Sequence, residues 1–185
     1  MMKDLKEFIA PAYNNEMDTE MTSEAFNVIM SGNATEGQIG AYLIALQKNG
    51  INKNHVLGAL KVMQEKMIKV NVPVNSIDTC GTGGDGIGSL NVSTATAFVV
   101  AATGIPIAKH GNKALTSKCG SADVLEALNI KLIADPFQLE NCINEINICF
   151  MFAPNHHPAM KYVGKVRQEI GIRTIFNMLG PLLNP

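Results

Sequence analysis

The sequence has no closely spaced cysteine pair, no long apolar run and no surplus of either charge, and each lack removes a class of protein. Its four cysteines are Cys80, Cys119, Cys142 and Cys149. None lies near enough to another for a short-spaced zinc or dithiol motif, so they read as buried thiols of a reducing, cytoplasmic protein. The longest apolar run covers residues 97–102, far too few to cross a bilayer. The first residues contain no apolar stretch of signal-peptide length. A net charge of −1 and a pI near 6.4 give neither nucleic acid nor an anionic membrane a field to follow. Internal repeats and low-complexity segments are absent too. What is present is an ordinary globular balance: 185 residues, 46% hydrophobic and 17% charged, enough for one domain or two small ones. The apolar stretch that closes the chain, residues 175–185, reads as a polypeptide cut short of its natural end.

Two patterns divide the chain. Residues up to about 70 read as helices. Thr35 and Gln38 fit a capping box, Ile39, Leu43 and Leu46 follow at helical spacing, and Gly50 is placed to stop that helix. Asn52 can cap the next one, in which Val56, Leu60, Met63 and Met67 form an apolar stripe best read as core. Residues 72–75 then read as a linker, and the pattern begins to alternate. Strands are predicted at 76–80, 105–108, 131–134 and 148–153. Helices are predicted at 92–103 and 122–128, and from the Asp135-Pro136 start signal. Strands alternating with helices imply a parallel sheet. The fold class is therefore α/β: a small helical domain plus the first part of a parallel-sheet α/β domain.

Four segments could carry chemistry. The first is the glycine-rich stretch after Asp78, Thr79 and Cys80, where glycines let backbone N–H groups approach an anion ahead of a helix N-terminus. Gly81, Gly83 and Gly86 satisfy the dinucleotide pattern, but no Asp or Glu occurs from Gly86 through Ala122 to hold a ribose. The same stretch carries Lys109, Lys113 and Lys118, which favours a phosphate-rich ligand; a purely structural turn is the alternative. In the second segment Asn91, Ser93 and Thr94 put three polar side chains at a helix start, more than a cap needs. The third, beginning at Lys109, His110, Gly111, Asn112 and Lys113, directly follows a predicted strand, where parallel sheets bind ligands and a lysine offers phosphate a point charge. The fourth holds His156, His157 and Arg167. The adjacent histidines point in different directions and make a poor metal pair. Arg167 could hold a carboxylate bidentately or be a solvated helix charge.

Together these segments resemble the anthranilate phosphoribosyltransferase family. The resemblance rests on GTGGDG from Gly81, NVST from Asn91, KHGN from Lys109, GSADVLEAL from Gly120, HPAM from His157 and GIRTIFNMLGPLLNP from Gly171. These lie in the family's order and span the chain. The resemblance implies a helical domain formed by residues 1–72 with 156–185 returning to it. It also implies that residues 73–155 open the α/β domain, with phosphoribosyl pyrophosphate (PRPP) bound between the two.

The substrate contacts it implies follow residue by residue. Gly81, Gly84, Asp85 and Ser89 belong to the glycine-loop side of the PRPP site. Asn91, Val92, Ser93 and Thr94 meet its phosphates. Lys109, His110, Gly111, Asn112, Lys113, Ala114, Leu115, Thr116 and Ser117 wrap the pyrophosphate, with Ser121 nearby. Gly81, Asn112, His157 and Arg167 serve anthranilate, and Ser93 is a ligand of the cofactor Mg2+. Two departures stand out: Lys113 replaces the family's usual arginine, and Cys119 replaces a frequent serine. The small-molecule substrates would be anthranilate and PRPP, with no nucleic acid or membrane partner, and the protein would be a homodimer through the helical domain. The family's acidic magnesium pair would lie beyond Pro185, so this length alone is expected to be inactive. A pyrimidine nucleoside phosphorylase and a non-catalytic binding or dimerisation module are the alternatives.

Overall fold

A computed structural model describes residues 3–83, 90–114 and 119–185. The chain divides into two compact units, Met1–Met67 with His157–Leu183, and Ile68–His156 with Asn184–Pro185.

The first unit is all helical. It contains α1 (Lys6–Tyr13), α2 (Thr19–Met30), α3 (Glu36–Lys48), α4 (Lys53–Lys66), α9 (Lys161–Ile170) and α10 (Ile175–Leu179). The starts follow from cap chemistry. Asp18 accepts the Met21 N–H at 2.7 Å at the head of α2. Thr35 and Gln38 close the capping box of α3, each side chain accepting the other's backbone N–H, at 3.2 and 3.0 Å. Asn52 accepts from Asn54 and His55, and the His55 Nδ1 accepts the Asn52 N–H in return. Gly50, at φ +79°, supplies the left-handed turn that ends α3. One apolar core joins these helices around Phe26, Ile29, Tyr42, Leu46 and Phe176.

The stripe expected on α4 is rotated. His55, Gly58, Ala59, Val62 and Met63 are the buried positions, and Val56 and Leu60 only flank the core. Gly58 sets this orientation, because a Cβ there would lie 2.5 Å from the Thr19 carbonyl oxygen of α2. Only a residue without a side chain allows the two backbones so close.

The second unit contains α5 (Val92–Ala102), β1 (Ile107–Gly111), α6 (Ser121–Ala127), α7 (Pro136–Ile146), β2 (Ile148–Phe152) and the single-turn α8 (Ala153–His156). β1 and β2 pair in parallel, from Ile107 opposite Ile148 to Gly111 opposite Phe152. α7 crosses between them. Asp135 caps it by accepting the Phe137 N–H at 3.0 Å, and Asn147, at φ 60°, turns the chain into β2. Two small apolar clusters form here, one around Leu139, Ile143 and Met151 and one around Ala97 and Ile107. Among the described residues no helix is long and apolar enough to cross a membrane.

Two expected strands are not regular ladders. Residues 131–134 have no strand pairing, yet Ile133 packs against the larger cluster; apolar contact had produced the strand-like pattern without hydrogen bonds. In 76–80 only Ile77 bridges to Ile107. The Asp78 carboxylate then accepts the Cys80 N–H at 2.9 Å, an Asx turn that bends the chain out of the ladder. The cysteines are not uniformly buried: Cys149 is, Cys80 and Cys142 are half-buried, and Cys119 is exposed.

Candidate functional site

The α/β unit gathers the glycine turn, the head of α5 and strand β1 through a few specific bonds. Thr79 Oγ1 donates to the Ser93 carbonyl at 2.8 Å, tying the turn to the first turn of α5. Asn91 caps that helix by accepting the Thr94 N–H at 3.2 Å and also accepts from Ser93 Oγ at 3.2 Å. Ser93 stays half-exposed and Val92 exposed. Thr94 is 2% exposed, with its hydroxyl unpartnered among the described residues. Glycine-turn residues Gly84, Asp85, Gly86 and Ser89 lie outside the described residues.

Lys109 does not follow a strand; it lies within β1 and is 2% exposed. Burial lowers its pKa, with Asp78 and Cys80 opposing that shift. Among the described residues it forms no ion pair, so its ammonium is a desolvated cation without a bonded counter-ion. His110 is buried beside it in sequence, and Gly111 ends the strand under the Phe150 ring, where a Cβ would come within 2.7 Å of a ring carbon.

The loop after β1 is closed by a residue that sequence reading missed. Asp123 accepts the Ala114 N–H at 2.8 Å and the Gly120 N–H at 2.7 Å, and these two bonds hold its carboxyl below the usual range. Asn112, exposed, receives the Ala122 N–H at its carbonyl and the Lys113 N–H at its side chain. Lys113 pairs at the surface with Glu126 at 2.9 Å, and Ser121 opens α6. Leu115, Thr116, Ser117 and Lys118 lie outside the described residues.

Asn184 is the second missed residue. Its amide donates to Asp78 Oδ2 at 2.8 Å and to the Ala108 carbonyl at 2.9 Å. The Asx turn at Asp78 had a local signal, an Asp followed two residues later by its donor. Asn184, 106 residues away in sequence, had none.

In the helical unit, Arg167 is half-buried with its guanidinium carbon 5.3 Å from the Phe176 ring centroid. Burial lowers its pKa, and it forms no ion pair among the described residues. It is therefore not the solvated helix charge that was the alternative. His157, 7% exposed, has Nε2 3.0 Å from the Leu183 carbonyl, which requires a donor there. His156 belongs to the other unit, where Nδ1 lies 3.0 Å from the Ile68 carbonyl and so carries the proton.

A glycine turn, a polar helix head and a buried lysine on a parallel strand thus stand together in the α/β unit. Residues 12–67 match the helical bundle domain of a glycosyl transferase family and residues 74–185 match its a/b domain; the chain belongs to this family. Within it, the chain is 52% identical over 185 residues to the anthranilate phosphoribosyltransferase of Bradyrhizobium sp. (strain ORS 278). That match covers 100% of this chain and 55% of the relative, so the chain spans about half the length of the relatives it matches. The crystal structure of anthranilate phosphoribosyltransferase from Thermus thermophilus superposes with a TM-score of 0.89 at 39% identity, covering 99% of this chain and 55% of that one. The Saccharomyces cerevisiae enzyme in complex with PRPP and Mg gives a TM-score of 0.88 at 29% identity, covering 98% and 55%.

Proposed function

We propose that this chain serves the transfer of the phosphoribosyl group of PRPP to the amine of anthranilate, with release of pyrophosphate, in tryptophan biosynthesis. The observation that carries the reading is Lys109: a buried ammonium on a parallel strand, next to a glycine turn, with no ion pair among the described residues. A pyrophosphate would supply the missing counter-charge. As the glycosidic C–O bond breaks, negative charge grows on the leaving group, and a cation already desolvated and fixed stabilises that charge without reorganising. The amine nitrogen forms the new bond to the anomeric carbon and then sheds a proton. Anthranilate is nucleophilic as it stands, so holding it in line matters more than activating it.

In this reading the α5 head, Asn91, Ser93 and Thr94, meets the phosphates. The half-exposed Ser93 hydroxyl, a hard oxygen donor, suits magnesium, which takes few protein ligands and completes its shell with water and phosphate. Magnesium bound there would supply further neutralisation of the pyrophosphate. Gly81, His110, Gly111, Asn112, Lys113, Ala114 and Ser121 belong to the same reading, as do Gly84, Asp85, Ser89, Leu115, Thr116 and Ser117 outside the described residues. Arg167, desolvated and without an ion pair among the described residues, would take the anthranilate carboxylate, and Gly81, Asn112 and His157 are assigned to the same substrate. The helical unit, Met1–Met67 with His157–Leu183, would be the domain through which two copies pair in the cytoplasm, and Ile68–His156 the start of the α/β domain.

Calorimetry tests the assignment. PRPP with magnesium should bind saturably, and anthranilate should bind thereafter. Arg167→Ala should weaken the anthranilate step by about 1.5–3 kcal/mol, the value of a charge-assisted bond, and leave PRPP binding nearly unchanged. Binding of thymidine and phosphate in place of PRPP and anthranilate would move the protein to nucleoside phosphorolysis.

A further inference from the structure

Asp78, Cys80 and His110 each bring a potential metal-ligating atom to one place, all within 4.8 Å of one another. The bridge between Ile77 and Ile107 brings the segment that carries Asp78 and Cys80 alongside β1, which carries His110, and the Asx turn at Asp78 folds that segment back on itself. Spacing along the chain could not reveal this group, since the third member is thirty residues away. The carboxylate is already oriented: Oδ1 accepts the Cys80 N–H and Oδ2 accepts the Asn184 amide. Such outer bonds fix a ligand's direction before metal arrives. Asp78 and Cys80 are half-buried and His110 is buried, so the cluster is sheltered and still open on one side.

We propose that Asp78, Cys80 and His110 form a three-ligand site for a borderline-soft divalent cation, zinc or its cobalt(II) surrogate. One oxygen, one sulfur and one nitrogen suit zinc, whereas magnesium prefers oxygen alone. Carboxylate and thiolate together carry the charge that neutralises a dication, the thiol releasing its proton as the metal–sulfur bond forms. Lys109 opposes the metal as a neighbouring cation, and His110 exchanges its present interaction for the metal. Zinc ligands at about 2.0–2.3 Å sit roughly 3.5 Å from each other, and the three atoms, within 4.8 Å of one another, need move little to reach that spacing. Three protein ligands leave a fourth position for water. The site shares His110 with the substrate reading above, and its test is read by metal binding alone.

The test is a cobalt(II) titration of the metal-free protein, followed by competition with zinc. Expected is a single equivalent bound with a thiolate-to-cobalt charge-transfer band. Cys80→Ser should abolish the band. Asp78→Asn should keep it and weaken binding about tenfold or more. Cys142→Ser should change neither. A band that survives Cys80→Ser, is lost with Cys142→Ser, or is absent from the unaltered protein overturns the proposal. X-ray absorption of the zinc-loaded unaltered protein needs no variant: one sulfur with nitrogen and oxygen neighbours is required, and no sulfur or several would refute the site.

Discussion

The helical unit closes one apolar core around Phe26, Tyr42 and Phe176. The α/β unit splits its buried residues into two small clusters and leaves Leu90, Val99 and Phe137 at 87%, 67% and 67% exposure. The contrast follows from where each element finds its hydrogen bonds. A helix satisfies its backbone internally, so short helices can assemble around side chains alone. A strand needs a neighbour, and among the described residues the ladder holds two strands and one bridge. Among the described residues the α/β unit also buries a lysine, Lys109, whereas the buried polar groups of the helical unit are Thr22, His55, His157 and Thr174. The helical unit should therefore be the more stable, with amides of α2 to α4 exchanging hydrogen more slowly than those of β1, β2 and α5.

The strongest way to break that ordering is Phe26→Ala. Phe26 is fully buried, edge-on to Tyr42 and 5.5 Å between centroids from Phe176. Its loss should cost about 3–5 kcal/mol. Urea unfolding should show the drop, and hydrogen exchange should show the helical unit opening before the α/β unit. An unchanged midpoint would mean that Phe26 does not hold the core together.

Lys109→Met separates binding from stability in the other unit. It removes a desolvated ammonium and leaves an apolar stem, so thermal stability should stay within about 1.5 kcal/mol of the original. PRPP affinity should fall by about 1.5–3 kcal/mol, roughly ten- to a hundredfold. A stability loss with affinity intact would make Lys109 a structural residue.

Gly58→Ala tests the tight approach of α4 to α2. The added Cβ meets backbone rather than a movable side chain, so overpacking should cost about 1–3 kcal/mol, confined to the helical unit. Slowed or unchanged exchange in α2 would show that the two helices separate at no cost.

Acidification should act on both units, and least. His55 in one and His156 in the other have pKa values lowered, chiefly by burial. Each binds its proton more readily unfolded than folded, so each contributes stability above its unfolded value near 6.5. That contribution is lost as pH falls from there toward the depressed folded pKa. His55→Gln, which retains an acceptor for the Asn52 N–H, should flatten the pH dependence in α4 and leave that of the α/β unit. Equal flattening in both units would contradict a local origin.

How much of this was legible depended on whether the signal was local. The fold class, the capping box at Thr35, the cap at Asn52, the Asp135-Pro136 start and the strand now called β2 were readable, because caps and periodicity act over a few residues. The α4 face was misread, since hydrophobicity points to Leu60 whereas the close packing of Gly58 decides the rotation. Residues 131–134 look like a strand because a buried loop and a strand need the same apolar side chains. Lys109 was singled out as a cation, but its burial within β1 was not, since lysine in a strand is by rule exposed. Asp123 ties two backbone N–H groups of the loop and Asn184 ties the Asp78 carboxylate to the Ala108 carbonyl, and nothing in their immediate sequence announces it.

Ile68 and His156 are the first and last residues of the α/β unit's main segment, and they are bonded to each other twice: the Ile68 N–H to the His156 carbonyl at 2.8 Å, and the His156 ring to the Ile68 carbonyl. An insert whose two ends already meet can be long at little entropic expense to its host, because closure cost grows only with the logarithm of length. The clasp therefore makes residues 69–155 an exchangeable cassette. A short turn grafted across it should leave α1 to α4 and α9 to α10 able to fold as a free-standing bundle. Replacing the His156 ring should remove one of the two bonds and leave the clasp on its backbone bond alone.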